Sequence, residues 1–241
     1  MILLVDIGNS RLKWNKVQAG SLGKTQAILH VHGSIQAELI RAWQVLERPQ
    51  CLRLACVGST QVKRQLLAVV EQLWPNLSLE EIQATSSAQG LTNAYLIPHK
   101  LGVDRWLAMI GAWHHYQSPF CVVSCGTAIT LDIVDSQGQH LGGMIMPGLI
   151  LMQQALQQGT SALGMSTKVH PLGLASYTEA GIYNGCLAAV KGFIEAGLAQ
   201  YDSCAVPLIL SGGDAVLLRD SLQLNAVVDL DIVMYGLMVI D

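Results

Sequence analysis

A chain of 241 residues can form one large or two small domains and bury roughly 70–75% of its unfolded surface without disulfide or metal staples. Only 13% of its residues are charged and 51% are hydrophobic, which excludes a disordered region, a polar linker and a basic nucleic-acid arm; the net charge of −3 offers no general attraction to phosphate backbones. A charge density this low argues that some apolar surface is covered by another subunit.

Residues 2–5 are a short apolar run ending in Asp6-Ile7-Gly8-Asn9-Ser10 and read as a buried strand followed by a tight polar turn. Residues 11–17 continue as a second strand, making a hairpin around that turn. Gly20-Ser21-Leu22-Gly23-Lys24-Thr25 looks like a phosphate loop, but Gln18 stands where the first glycine belongs, so it reads as a hairpin loop. Residues 52–57 are a further strand, stopped by Gly58-Ser59. Val62, Leu66, Val69, Val70 and Leu73 then recur at helical spacing until Pro75-Asn76. Strand–helix alternation of this kind favours an α/β fold.

The densest chemistry runs from Asn93 to Arg105, just ahead of an apolar helix carrying Trp106, Ile110 and Trp113. Asp104 is either the N-cap of that helix or a general base for a hydroxyl, and Arg105 could clamp an anionic group. Residues 120–123 then repeat the opening theme: an apolar strand, followed by Ser124-Cys125-Gly126-Thr127-Ala128-Ile129-Thr130-Leu131-Asp132. Gly8 and Gly126 lie 118 residues apart, nearly half the chain, which points to an internal duplication. Gly142 to Gly148 leads into an apolar-periodic helix through about residue 158, and residues 180–199 read as a long helix with Gly181, Gly185 and Gly192 at close-packing positions. Residues 208–210 form a last strand before Ser211-Gly212-Gly213-Asp214-Ala215.

Three glycine turns after buried strands expose backbone N–H groups to which phosphate oxygens can come close, and together they favour a nucleotide site. Asp6 could hold Mg2+ or accept turn hydrogen bonds; Lys13 could face phosphate or solvent. No run of 18 apolar residues forms a membrane helix, and no basic segment precedes the apolar opening, so the chain reads as cytoplasmic. The six cysteines lack a C-x-x-C pair and read as buried free thiols, while His30, His32, His114 and His115 read as surface or helix-face residues.

Taken in order, these pieces resemble the type III pantothenate kinases. The resemblance rests on Asp6-x-Gly8-Asn9-Ser10, on Asn93-x-Tyr95-x-x-Pro98-x-x-x-Gly102-x-Asp104-Arg105, and on Gly126-Thr127-Ala128 with Thr130 and Asp132. Gly142-Gly143, Pro147-Gly148, Ser211-Gly212-Gly213 and Gly236-Leu237 complete it. It implies an α/β fold of two duplicated ribonuclease-H-like domains of the actin-like ATPase kind, residues 1–115 and 116–241, with ATP in the cleft between them. It further implies ATP-dependent phosphorylation of pantothenate, the first step of coenzyme A biosynthesis. Asp104 would be the base, and Tyr95, Gly102, Val103, Arg105 and Thr178 would bind pantothenate, Thr178 from the partner of a homodimer. Asp6, Ile7, Gly8, Asn9, Ser10, Arg11, Lys13, Gly126, Thr127, Gly212 and Gly213 would hold ATP, with Mg2+ at Asp6. Ser124 departs from the family pattern: an Asp associated with a monovalent cation, potassium or ammonium, usually stands there. A regulatory protein of the same fold and a kinase for another small hydroxyl compound are the rival readings; neither nucleic acid nor membrane is an implied partner.

Overall fold

The computed structural model describes residues 1–30, 34–161, 163–164, 168–201 and 206–240; His32 and Cys204 lie outside the described residues. Contacts divide the chain into two units, Met1–Gln117 with Asp231–Asp241, and Ser118–Leu230.

In the first unit, strand β1 (Ile2–Ile7) is buried along almost its whole length and forms the sheet centre. It pairs antiparallel with β2 (Arg11–Gln18), which turns back through β3 (Ser21–Leu22) and also pairs with β4 (Gln26–Leu29). The Gly20 segment is thus a hairpin turn: Ala19 and Gly20 both take positive φ, 50° and 77°. After helix α1 (Gln36–Trp43), strand β5 (Cys51–Cys56) returns parallel to β1. Helix α2 (Thr60–Leu73) then leads to β6 (Ser78–Glu81), parallel to β5. Ser59 caps α2 by accepting the Gln61 N–H at 3.2 Å. Alternation decides which face carries what. Leu3, Val5, Ile7, Leu12 and Trp14 turn to one side and meet Leu39, Trp43, Leu66 and Val69 of the helices. Leu4 and Asp6 turn to the other.

The small hairpin β7 (Ser87–Ala88) and β8 (Leu91–Thr92) and a single 3₁₀ turn (Pro98–Lys100) precede helix α3 (Val103–Tyr116).

The second unit repeats this plan. Its central strand β9 (Phe120–Cys125) pairs antiparallel with β10 (Ala128–Val134), which pairs antiparallel with β11 (His140–Pro147). Helices α4 (Leu149–Gly159) and α5 (Thr178–Leu198) follow. Strand β12 (Leu208–Ser211) then returns parallel to β9, and helix α6 (Ala215–Leu222) leads to β13 (Ala226–Val228), parallel to β12. In both sheets a central strand has an antiparallel neighbour on one side and two successive parallel strands on the other. β1 and β9 start at residues 2 and 120, the same offset as Gly8 and Gly126. Val123, Leu131 and Leu210 pack on Leu187, Val190 and Ile194 of α5.

Two sequence expectations change. Residues 231–241, counted with the second half, pack in the first unit as helix α7 (Ile232–Val239). The physical reason is backbone contact: a Cβ on Gly236 would sit 2.0 Å from the Leu107 carbonyl, and one on Gly111 would sit 2.2 Å from the Ile232 carbonyl. Only glycine at both points lets α3 and α7 come this close. Arg53 of β5 fastens the end of α7, donating to the carbonyls of Met238 at 3.1 Å and Ile240 at 2.6 Å while its Nε donates to Glu80. Second, Gly181, Gly185 and Gly192 of α5 face open space; the close contact is at Gly197, against Leu131. Cys121, Cys125 and Cys186 are buried free thiols as expected, and burial pushes the first two up to about 12, but Cys51 and Cys56 are only half-buried.

Candidate functional site

The first unit gathers Asp6, Lys13, Tyr95, Asp104 and Arg105. Asp6 lies opposite Lys13 in the β1–β2 ladder, so their side chains share one face. Asp6 is only 8% exposed, and its Oδ1 is buried without a hydrogen-bond partner in the described structure. Burial and, secondarily, the Asp104 charge raise its pKa to about 7 against the opposing effect of Lys13.

Asp104 is the second residue of α3. The position before the helix belongs to Gly102, so Asp104 is not the N-cap. Its Oδ1 accepts the Arg105 N–H at 2.9 Å. Gly102 is there for room: a Cβ would lie 2.6 Å from that same oxygen. Arg105 is buried and donates from Nη1 to the Tyr95 hydroxyl at 2.9 Å, with its guanidinium carbon 5.7 Å from the Tyr95 ring centre. Asn93, not assigned a role from the sequence, holds this loop. Its Oδ1 accepts the Tyr95 N–H at 3.0 Å, and its Nδ2 donates to the Thr85 carbonyl at 3.0 Å and the Pro98 carbonyl at 3.3 Å. The Val103 side chain is buried.

The turn after β1 closes with the Gly8 N–H donating to the Arg11 carbonyl at 3.0 Å, and leaves Asn9 exposed. Its counterpart after β9 closes with the Gly126 N–H donating to the Ala128 carbonyl at 3.1 Å, and leaves Thr127 exposed. Each turn is backed by a strand-to-helix junction. Val57 and Gly58 N–H both donate to the Ile7 carbonyl at 3.0 Å; Asp214 N–H donates to the Cys125 carbonyl at 3.1 Å. Gly212 needs to be glycine twice over, for its φ of +94° and because a Cβ would lie 2.2 Å from the Cys125 carbonyl. At the first unit's junction the tight glycine is Gly58, two positions further along, where a Cβ would lie 2.2 Å from the Gly8 carbonyl oxygen. The sequence shows it only as the stop after a strand. Thr178 is the exposed first residue of α5.

The donor sets decide which ions fit. Asp6, with a buried unpartnered oxygen beside a second carboxylate, suits Mg2+, which takes one or two carboxylates and completes its shell with phosphates and water. Ser124 does not suit a carboxylate-held monovalent cation. It pairs with Thr130 on one side and Ser211 on the other, a row of neutral hydroxyls. Asp132, on the same face as Thr130, engages His140 at 3.0 Å. A depression of about 630 Å³ lined by Glu81, Thr85, Ser87 and Ile240 contains none of the expected site residues.

The profile of type III pantothenate kinases matches residues 2–200. A type III pantothenate kinase of Dichelobacter nodosus is 40% identical over 198 residues, 81% of this chain and 80% of the relative. One of Laribacter hongkongensis is 36% identical over 245 residues, 98% and 97% of the two chains. Among solved structures, a Campylobacter jejuni protein described as a Baf family transcriptional activator aligns with a TM-score of 0.59 at 20% identity, covering 97% of this chain and 94% of that one. The Clostridium difficile activator of 2-hydroxyisocaproyl-CoA dehydratase, with bound ADPNP, aligns at 0.56 and 10% identity, covering 98% and 91%. These two show the fold alone, that of the actin-like ATPases. The profile and the near full-length relatives carry the conclusion the paired carboxylates had prepared: the chain belongs to the type III pantothenate kinase family.

Proposed function

We propose that the protein transfers the γ-phosphoryl group of ATP to the primary hydroxyl of pantothenate, giving 4'-phosphopantothenate and ADP, the first step of coenzyme A biosynthesis. The observation that carries this reading is the Asp104 carboxylate at the start of α3, flanked by buried Arg105 and facing the charge of Asp6. The pantothenate hydroxyl attacks the γ-phosphorus, the bond to the bridging oxygen of ADP breaks, and Asp104 accepts the hydroxyl proton. Arg105, oriented by the Tyr95 hydroxyl, pairs with the pantothenate carboxylate, for which a guanidinium is well shaped. The exposed turn at residues 8–10 would offer the Asn9 backbone N–H to a phosphate of ATP. Mg2+ held through Asp6 would neutralise phosphate charge. No role is assigned to a monovalent cation, because the Ser124 row lacks a carboxylate.

A homodimer completes the proposal. Helix α5 presents Gly181, Gly185, Ala188, Ala189 and Gly192 to open surface, a low ridge on which a second helix can lie close. Exposed Ile145, Ile150 and Leu174 add apolar area in the same unit. In such a dimer Thr178, at the start of α5, would reach the pantothenate of the partner.

The reading is tested by incubating purified protein with Mg·ATP and pantothenate, in potassium and in sodium buffers. Formation of 4'-phosphopantothenate in both is expected. Absence of product in both removes the kinase reading in favour of a regulatory protein of this fold, and turnover of another hydroxyl compound alone would reassign the substrate.

A further inference from the structure

The turn at residues 7–10 is clamped from two directions. The β5–α2 junction holds it on one side: Val57 and Gly58 N–H donate to the Ile7 carbonyl, and Gly58 lies so close that a Cβ there would sit 2.2 Å from the Gly8 oxygen. The other hold comes from His30, just past β4. Its backbone N–H donates to the Ser10 carbonyl at 3.1 Å, and its Nε2 lies 2.9 Å from the Gly8 carbonyl oxygen. A carbonyl oxygen only accepts, so Nε2 carries the hydrogen. The residue is only 9% exposed, so this is an anchored side chain and not a surface contact.

The direction of this bond matters because of peptide planarity. Among the described residues every peptide is trans, and in a trans peptide the C=O of one residue and the N–H of the next point opposite ways. Fixing the Gly8 carbonyl toward His30 therefore turns the Asn9 N–H to the far side of the same plane. Asn9 is the exposed tip of the turn. In the matching turn of the second unit the holding bonds run between backbone groups, from Asp214 to Cys125 and from Gly148 to Thr127.

We propose that His30 is a positioning residue that sets the Asn9 N–H as a preorganised donor to a phosphate oxygen of ATP, acting through the Gly8 carbonyl and not by touching nucleotide. The proposal deepens the kinase reading and rests on it. Without His30 the Gly8–Asn9 plane can rotate, and the donor is set only when nucleotide binds.

The test compares wild type with His30→Ala, His30→Leu and His30→Gln. KM is measured for ATP and for pantothenate, and Mg·ADP affinity by calorimetry. Ala and Leu are expected to raise the KM for ATP and the Kd for Mg·ADP about tenfold, the scale of one well-made hydrogen bond, with the pantothenate KM within about twofold of wild type. Gln, whose amide N–H can reach the same carbonyl, is expected to recover most of the loss; Leu fills the space without donating. The proposal is overturned if the ATP parameters of Ala and Leu stay near wild type, if both substrates shift alike, or if Gln is no better than Leu. Should Ala and Leu fail to fold, Gln alone decides: near-wild-type ADP affinity supports the proposal and a tenfold loss sinks it. A wild-type protein that binds Mg·ADP yet leaves pantothenate unphosphorylated sinks the substrate assignment alone, and the ADP titration still judges His30. A wild type that binds no ADP sinks both.

Discussion

Asp6 and Asp104 face the same chemistry from unequal surroundings, and substitutions at each separate their roles. Asp104→Asn is expected to keep the fold and lower kcat by at least about 100-fold, the scale of a general base. Near-normal turnover would move the base elsewhere. Asp6 titrates near 7 when folded, above the ordinary carboxylate value near 4, because burial and then the Asp104 charge disfavour its anion. The folded protein therefore holds more protons than the unfolded chain between those limits, so stability falls as pH rises through that window and levels off above about 7. Asp6→Asn removes this penalty. In metal-free buffer the variant is expected to melt above the parent at pH 8, by up to a few kcal/mol, with the gap closing toward pH 4. Melting curves that run parallel across pH would refute that cause. At this scale the sequence was informative where chemistry is local. Tyr95, Gly102, Asp104 and Arg105 fall within one short stretch, and their spacing showed in the chain. His30 did not show, because its contact with Gly8 exists only once β4 has returned beside β2. Nor did the reason for Gly102, which is space for a neighbouring carboxylate and not a turn.

At the scale of elements, hydrophobic pattern located the buried strands β1, β2, β5, β9 and β12 and the helices α2, α3, α4 and α5, since a strand buried on both faces and a helix with one apolar stripe leave different signatures. It left α1, β4, β6, β11, α6, β13 and α7 unread, and β6, exposed along its whole length, has no apolar pattern to read. Packing partners were another matter. The α5 glycines suggested close packing within the chain, whereas the close approach is between α3 and α7, through Gly111 and Gly236, 125 positions apart in sequence. No local pattern joins such residues. Gly236→Ala is expected to destabilise the protein by about 3 kcal/mol, the upper end for overpacking, because the obstacle is the Leu107 backbone and not a side chain that can swing away. Urea unfolding measures it; a loss below about 0.5 kcal/mol would mean that the two helices separate easily.

For the whole molecule, the half-chain offset between Gly8 and Gly126 made the duplication legible, and the two sheets share one strand plan. The proposed dimer is tested at the exposed small residues of α5. Gly185→Trp is expected to convert a dimer to a monomer in sedimentation velocity and to raise the pantothenate KM more than that for ATP. A dimer that survives this change would place the interface elsewhere. The position of α7 has a consequence for synthesis. Unit Ser118–Leu230 is one unbroken stretch set inside the other unit, so it is fully translated before the first unit has its last helix. At roughly 5–20 residues per second the interval is on the order of ten seconds. Throughout that time the face of α3 around Leu107 and Gly111 has no α7 to cover it. The first half of the chain to be made is thus the last to be finished, and its α3 face stays bare for the whole of that interval.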